Sequence, residues 1–189
     1  MKFNKRWSVG LLSVVALISL SACTEEQTKP ASTSNEAAEK MDHSTMNHSS
    51  SGEVPVTLKK AENPKFPVGS TAIITDGHME GMKGGAEATI VGAYNTTAYV
   101  ISYEPTSGGK RIEKHKWVIH EELIDPQEAP LAPGTEIKTD AAHMEGMENA
   151  TVLIDEAVQT TVYMVDYTST NGEAVTNHKW VTEEELSPK

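Results

Sequence analysis

The chain has 189 residues, with 16 Lys and Arg against 27 Asp and Glu and a net charge of −11. That balance excludes a nucleic-acid or anionic-membrane footprint, which needs a basic surface. Two Phe, a 5% aromatic content and one Cys exclude a large core, an internal disulfide, a cysteine zinc cluster and a CxxC redox pair, and leave eight Met and seven His as the unusual feature.

Residues 1–22 read as a secretion signal. Lys2, Lys5 and Arg6 form a basic start, and Trp7–Leu20 is a mostly apolar run too short to span a bilayer comfortably. The run ends in Leu20-Ser21-Ala22-Cys23, which looks like a bacterial lipobox. There a diacylglyceryl group is added to the Cys23 sulfur before cleavage, and dual acylation is the condition for stable anchoring. The expectation is an extracytoplasmic chain held to the cell membrane by lipidated Cys23. Beyond the signal, 13 bases face 27 acids.

Residues 23–64 read as a disordered tether. Thr24–Gly52 contains no Val, Ile, Leu, Phe, Trp or Tyr and cannot bury enough apolar area to offset chain entropy. Within it, Met41-Asp42-His43-Ser44-Thr45 is echoed by Met46-Asn47-His48-Ser49-Ser50. Ordered structure is expected to begin near Phe66.

From there the chain repeats itself. Gly69–Met82, ending His78-Met79-Glu80-Gly81-Met82, matches Gly134–Met147, ending His143-Met144-Glu145-Gly146-Met147. Thr96-Thr97-Ala98-Tyr99 matches Thr160-Thr161-Val162-Tyr163, and His115-Lys116-Trp117-Val118 matches His178-Lys179-Trp180-Val181. Glu121-Glu122-Leu123 returns as Glu184-Glu185-Leu186. Such a period means duplicated small domains, here 65–126 and 130–189, joined by the Pro- and acid-rich stretch Asp125–Pro133.

Each copy has a period of two. Thr71–Thr75 is β-branched and apolar, Ala86, Ala88 and Ile90 share a face, and so do Tyr99 and Tyr103. Tyr94-Asn95, Ser107-Gly108-Gly109 and Asn171-Gly172 carry turn chemistry. One helical turn each is expected at Glu121–Ile124 and Glu183–Leu186. Four or five short strands in about 60 residues point to an all-β chain of two tandem small SH3-like, KOW-like barrels.

His-Met-x-Gly-Met, then Thr-Thr-x-Tyr, a Tyr-bearing strand, a Gly-rich turn and His-Lys-Trp-Val, twice over behind a lipobox, closely resembles the YdhK-like lipoproteins. Their repeated domain is one of unknown function. The resemblance covers about residues 65–189 and implies a secreted all-β tandem protein, without fixing an activity. One departure is that the Gly-Gly turn of the first copy becomes Asn171-Gly172 in the second.

Catalysis is not expected, since no nucleophile elbow, GxxxxGK or HExxH occurs and the single Cys belongs to the lipid. Thioether and imidazole are soft-to-borderline ligands suited to copper(I), and outside the membrane they replace easily oxidised thiols. The candidate metal ligands are Met41, His43, Met46 and His48 in the tether, with His78, Met79, Met82, His143, Met144 and Met147 in the loops. His115, Trp117, His178 and Trp180 are supporting residues, the Trp faces being able to sit against a soft cation. Curling the loops would put His78 and Met82, and likewise His143 and Met147, on a common face. Two other readings stay open: the methionines and Trp are core packing, with one Trp to each barrel, or the chain is an envelope module binding wall polymer or protein. For the last, Lys110, Arg111, Lys114 and Lys116 form a basic cluster in copy one that copy two mostly lacks.

Overall fold

The structure is a computed structural model that describes residues 47–189; Cys23, Met41, His43 and Met46 lie outside the described residues. Eight strands are described: β1 (Lys59–Lys60), β2 (Thr71–Ile74), β3 (Glu87–Tyr103), β4 (Ile112–Ile119), β5 (Glu136–Lys138), β6 (Thr151–Thr168), β7 (Ala174–Thr182) and β8 (Leu186–Pro188). The chain is all-β, as its period of two requires. The two expected helical turns are 3-10 turns at His120–Glu122 and Glu183–Glu185, and a third forms at Glu80–Met82. No helix among the described residues is long and apolar enough to cross a membrane.

The turn expected at Tyr94-Asn95 does not form. β3 runs unbroken through both residues, and β6 runs unbroken through Val158-Gln159. A strand of 17 residues is about 55 Å long at ~3.3 Å per residue, too long to serve one small barrel. Instead β3 and β6 pair antiparallel from Ala88↔Tyr167 to Tyr103↔Val152. The path β5-β6-β3-β2-β8 carries β1 and β4 on β3 and β7 on β6, and it does not close on itself.

The two repeats have therefore exchanged halves. One core joins Ala72, Ile74, Met82, Ala88 and Ile90 of the first copy to Tyr163, Val165, Tyr167, Val181 and Leu186 of the second. The other joins Tyr99, Ile101, Tyr103 and Val118 to Met147, Ala150, Val152 and Ile154. β8 of the second copy pairs with β2 of the first, and Leu123 bridges Thr139. The boundaries 65–126 and 130–189 mark the duplicated sequence, whereas the packing crosses them. Trp117 and Trp180 share a third cluster at the crossover with Tyr94, Ala98, Val100 and Val162, rather than each filling a separate barrel.

Order also begins before Phe66. Leu58 is buried beside the Trp pair, and β1 pairs with Tyr94 and Asn95 of β3. Upstream, residues 47–53 lie along β7, held by Ser50 N–H donating to the Thr176 carbonyl (3.0 Å) and Thr176 N–H donating to Ser49 Oγ (2.9 Å). Hydrogen bonds, mostly through polar side chains, supply here what side-chain hydrophobicity does not.

Candidate functional site

The exchange of halves brings both His-Met-Glu-Gly-Met loops to one place. Each loop is clamped by the hairpin tip of the other copy: Thr106 N–H donates to the Gly146 carbonyl (2.9 Å) and Thr170 N–H to the Gly81 carbonyl (3.1 Å). Gly146 has φ +75°, and a Cβ there would stand 2.5 Å from Ser107 Oγ and 2.8 Å from Pro105 Cβ, so only glycine allows this approach.

Two buried carboxylates organise what the loops present. Glu122 ends the 3-10 turn after β4, and its side chain accepts from Ile119 N–H (3.1 Å), Trp180 Nε1 (3.1 Å) and His143 Nε2 (2.8 Å). Glu185 repeats this after β7, accepting from Thr182 N–H (2.9 Å), Thr182 Oγ1 (3.0 Å), Trp117 Nε1 (2.8 Å) and His78 Nδ1 (3.0 Å). The Trp partner comes from the opposite copy in each case. Burial alone would raise the Glu122 carboxyl, but the His143 charge and the hydrogen bonds from His143, Ile119 and Trp180 outweigh it and hold the group below its usual range. In Glu185 burial is likewise outweighed, by the His78 hydrogen bond and charge and by Thr182 and Trp117.

Neither Glu122 nor Glu185 was among the candidate ligands. The available signal was the repeated Glu-Glu-Leu, whose second Glu is buried in both copies while the first reads as a solvated acid. The indole N–H groups are spent on these carboxylates. The ring faces lie against lysine, Lys116 Nζ standing 5.0 Å from the Trp117 centroid and Lys179 Nζ 5.8 Å from that of Trp180. The Trp pair thus positions the two buried acids.

Between the loops lies a cleft of about 520 Å³ lined by His48, Met79, His115, Glu122, His143, Met144 and His178, among others. His115 and His178 reach it because each follows a residue with left-handed backbone, Lys114 (φ 53°) and Asn177 (φ 52°), at register shifts in β4 and β7. Such bulges re-aim the next side chain. His78 stands behind the wall, its ring centroid 5.9 Å from that of His178, and His115 and His143 are 6.5 Å apart. His78 Nε2 and His143 Nδ1 are buried without a hydrogen-bond partner. His178 is 3% exposed, and burial first, then the His78, His48 and His143 rings, hold its pKa well below the ordinary 6.5.

Met82 and Met147 are withdrawn from this surface. Both are fully buried, one in each core, so the common face with His78 and His143 does not form. Met82 folds across Gly77, where a Cβ would stand 2.5 Å from Met82 Cβ. Met79 and Met144 are half-buried and edge the cleft. Among the described residues no three His, Cys, Asp or Glu side chains stand close enough together to hold one metal ion.

The two repeats match the family model described as "Protein of unknown function (DUF1541)" over residues 68–120 and 133–183. The chain belongs to this family. It is 52% identical to the "Uncharacterized protein YdhK" of Bacillus subtilis (strain 168), over all of this chain and 92% of that protein. A crystal structure of a DUF1541 family protein from the same species is similar with a TM-score of 0.73 at 59% identity, covering 78% of this chain and 100% of that one. A solution structure of the YdhK C-terminal domain gives a TM-score of 0.62 at 61% identity, covering 66% and 94%. The DUF1541 family is thus a tandem β-repeat family with no activity attached to its name.

Proposed function

We propose that the chain is a lipid-anchored extracytoplasmic binding protein, not an enzyme, that takes up a soft metal ion, copper(I), in the cleft between its two His-Met-Glu-Gly-Met loops. The observation that supports this most is the repeated buried Glu–His pair. A carboxylate holding one ring nitrogen fixes the tautomer and leaves the other nitrogen as a lone-pair donor, the arrangement found behind metal-ligating histidines. His78 Nε2 and His143 Nδ1 are those remaining nitrogens, buried and without a protein hydrogen bond.

The choice of metal follows from the donor set. With metal–nitrogen bonds of ~2.0 Å, two imidazoles sharing an ion place their centroids roughly 5–6 Å apart, and His78 and His178 are at 5.9 Å. A third nitrogen or carboxylate at ligand distance is missing among the described residues, so an ion demanding three or four such donors is poorly served. Met79 and Met144 supply thioether sulfur, which selects copper(I). In this reading Met41, His43 and Met46 of the tether add donors of the same class, and Cys23 lipidation keeps the site at the membrane surface.

Residues 24–189, titrated against a colorimetric copper(I) chelator, should bind more tightly than micromolar. Met79→Ala with Met144→Ala should weaken that binding at least tenfold while the chain stays folded with a lowered unfolding midpoint, since both side chains also pack against a core. Binding weaker than micromolar, or binding untouched by both that pair and deletion of 41–48, overturns the proposal.

A further inference from the structure

The histidine of each loop has a carboxylate behind it, whereas among the described residues His178 on β7 has none. Glu185 holds His78 and Glu122 holds His143, but neither ring nitrogen of His178 makes a hydrogen bond within ordinary limits. That ring is 3% exposed and lines the cleft. A buried imidazole that nothing orients is a poor ligand, because its ring angle and its protonated nitrogen are both left open. What fixes this one lies outside the loops, in the segment 47–53.

This segment grips the chain on both sides of His178. Before the histidine, Ser50 Oγ donates to the Asn177 carbonyl (2.6 Å), and Asn177 Nδ2 donates back to the Ser50 carbonyl (3.3 Å). After it, Lys179 Nζ donates to the Glu53 carbonyl. Gly52, at φ +79°, closes the turn over Asn177; a Cβ there would stand 3.0 Å from Asn177 Cγ. The His48 ring meets that of His178 edge-on, with centroids 6.3 Å apart. Burial, the largest influence on His178, lowers its pKa, while the His48 backbone acts the other way.

Comparing the copies shows what Asn177 is for. His115 aligns with His178, which places Lys114 where the second copy has Asn177. Both have left-handed backbone, φ 53° and 52°. Both backbone N–H groups are taken, that of Lys114 by Ser102 Oγ (3.1 Å) and that of Asn177 by Asp166 Oδ1 (2.7 Å). The backbone therefore does not require asparagine, since a lysine adopts the same conformation. What the short amide adds is its bond to the Ser50 carbonyl and its close fit beneath Gly52. We infer that the segment 47–53 is a strap that positions His178 for binding, with Ser50, Gly52 and Asn177 as positioning residues in place of the carboxylate that backs His78 and His143. Docking of the strap then sets how well the cleft holds an ion. For the ion this rests on the copper reading above; for the orientation of the ring it does not.

The test compares residues 24–189, carrying ¹⁵N-labelled histidine, with the same chain bearing Ser50→Ala and Gly52→Ala, which retains every histidine and methionine. Without metal, the ring nitrogens of His178 should shift in the variant, while those of His143, held by Glu122, stay in place and the amide spectrum stays dispersed. With copper(I), competition against the chelator should show affinity lowered roughly tenfold, the effect of losing a ligand's orienting partner. Gly172→Ala, at a positive φ but with nothing near its added Cβ, should change neither reading. Unmoved His178 nitrogens would overturn the inference, since the strap would then fix nothing at that ring. Equal shifts at His143 would mean a general loosening of the cleft, and the inference would fall. It would fall too if the His178 nitrogens moved and copper(I) affinity did not. A parent chain that binds no copper(I) overturns the copper reading instead, and the metal-free spectra still decide whether the strap positions His178.

Discussion

Glu122 and Glu185 are the residues on which the site rests, since each joins a loop histidine, a Trp of the opposite copy and its own turn backbone. Removing one leaves an indole N–H and a histidine without their acceptor inside the protein. Glu122→Ala should cost about 3–5 kcal/mol, measured by urea denaturation. Met82→Ala and Met147→Ala should each cost about 2–5 kcal/mol as core truncations, more than either Met79→Ala or Met144→Ala, whose side chains are half-buried. Protonation acts on the same residues. His178 is held neutral in the fold, so below its ordinary pKa of 6.5 the unfolded chain binds a proton that the native chain refuses. Stability is therefore full above that value and declines as pH falls below it. Glu122 and Glu185, held below the usual range, add a second decline as pH drops through the carboxylate region. The urea midpoint should fall in two stages between pH 7 and 3, and His178→Gln should remove the upper stage only. A flat profile down to pH 5 in the parent chain would contradict this assignment. The histidines and methionines were legible as a cluster from the sequence. Which methionines face the cleft was not, because His-x-x-x-Met spacing implies a shared face only on a regular helix, and the Gly77 and Gly146 loops are irregular.

At the level of elements, the loops are held by contacts made across copies. Gly146 sits where any side chain meets Pro105 and Ser107 in the opposite hairpin tip, and its φ of +75° is costly for other residues. Gly146→Ala should displace His143 and Met144 and weaken copper binding several-fold with a smaller loss of stability. Gly172 also has a positive φ, yet nothing lies within 4 Å of its added Cβ. Gly172→Ala should therefore leave copper binding unchanged, and comparing the two in the chelator assay isolates loop position from backbone strain. Strands and hairpin tips were legible because alternation and Gly-bearing turns act locally. The segment 47–53 was not, since it is held to β7 by hydrogen bonds that run mostly through short polar side chains, and Ser-rich sequence carries no mark of such a partner.

At the level of the whole molecule, the long strands make the repeats interdependent. The core around Ile74, Met82 and Ile90 is completed by Tyr163, Val165, Tyr167 and Val181. An isolated 65–126 or 130–189 lacks the other half of every cluster unless it folds its long strand back on itself or pairs with a second copy. Each piece alone should be unfolded or dimeric, and mixing the two should restore a one-to-one complex, read by sedimentation and amide dispersion. A folded monomer of either piece would show that the exchange of halves is not required. The cleft depends on the exchange too, because Glu122 and Glu185 each draw a Trp from the opposite copy.

By itself the sequence determined the all-β class, the duplication and its motifs, the membership signature, and the gathering of His and Met beside one another. Those are consequences of short-range periodicity and of residues near each other in the chain. Only the tertiary structure decided that Tyr94-Asn95 continues as strand, that the cores are built from exchanged halves, and that two glutamates hold the histidines. The physical reason is that a Tyr-Asn pair suits a hairpin turn or an extended strand about equally well. Its choice is settled by fifteen residues of pairing with a strand some sixty residues away, a sum that no local pattern contains.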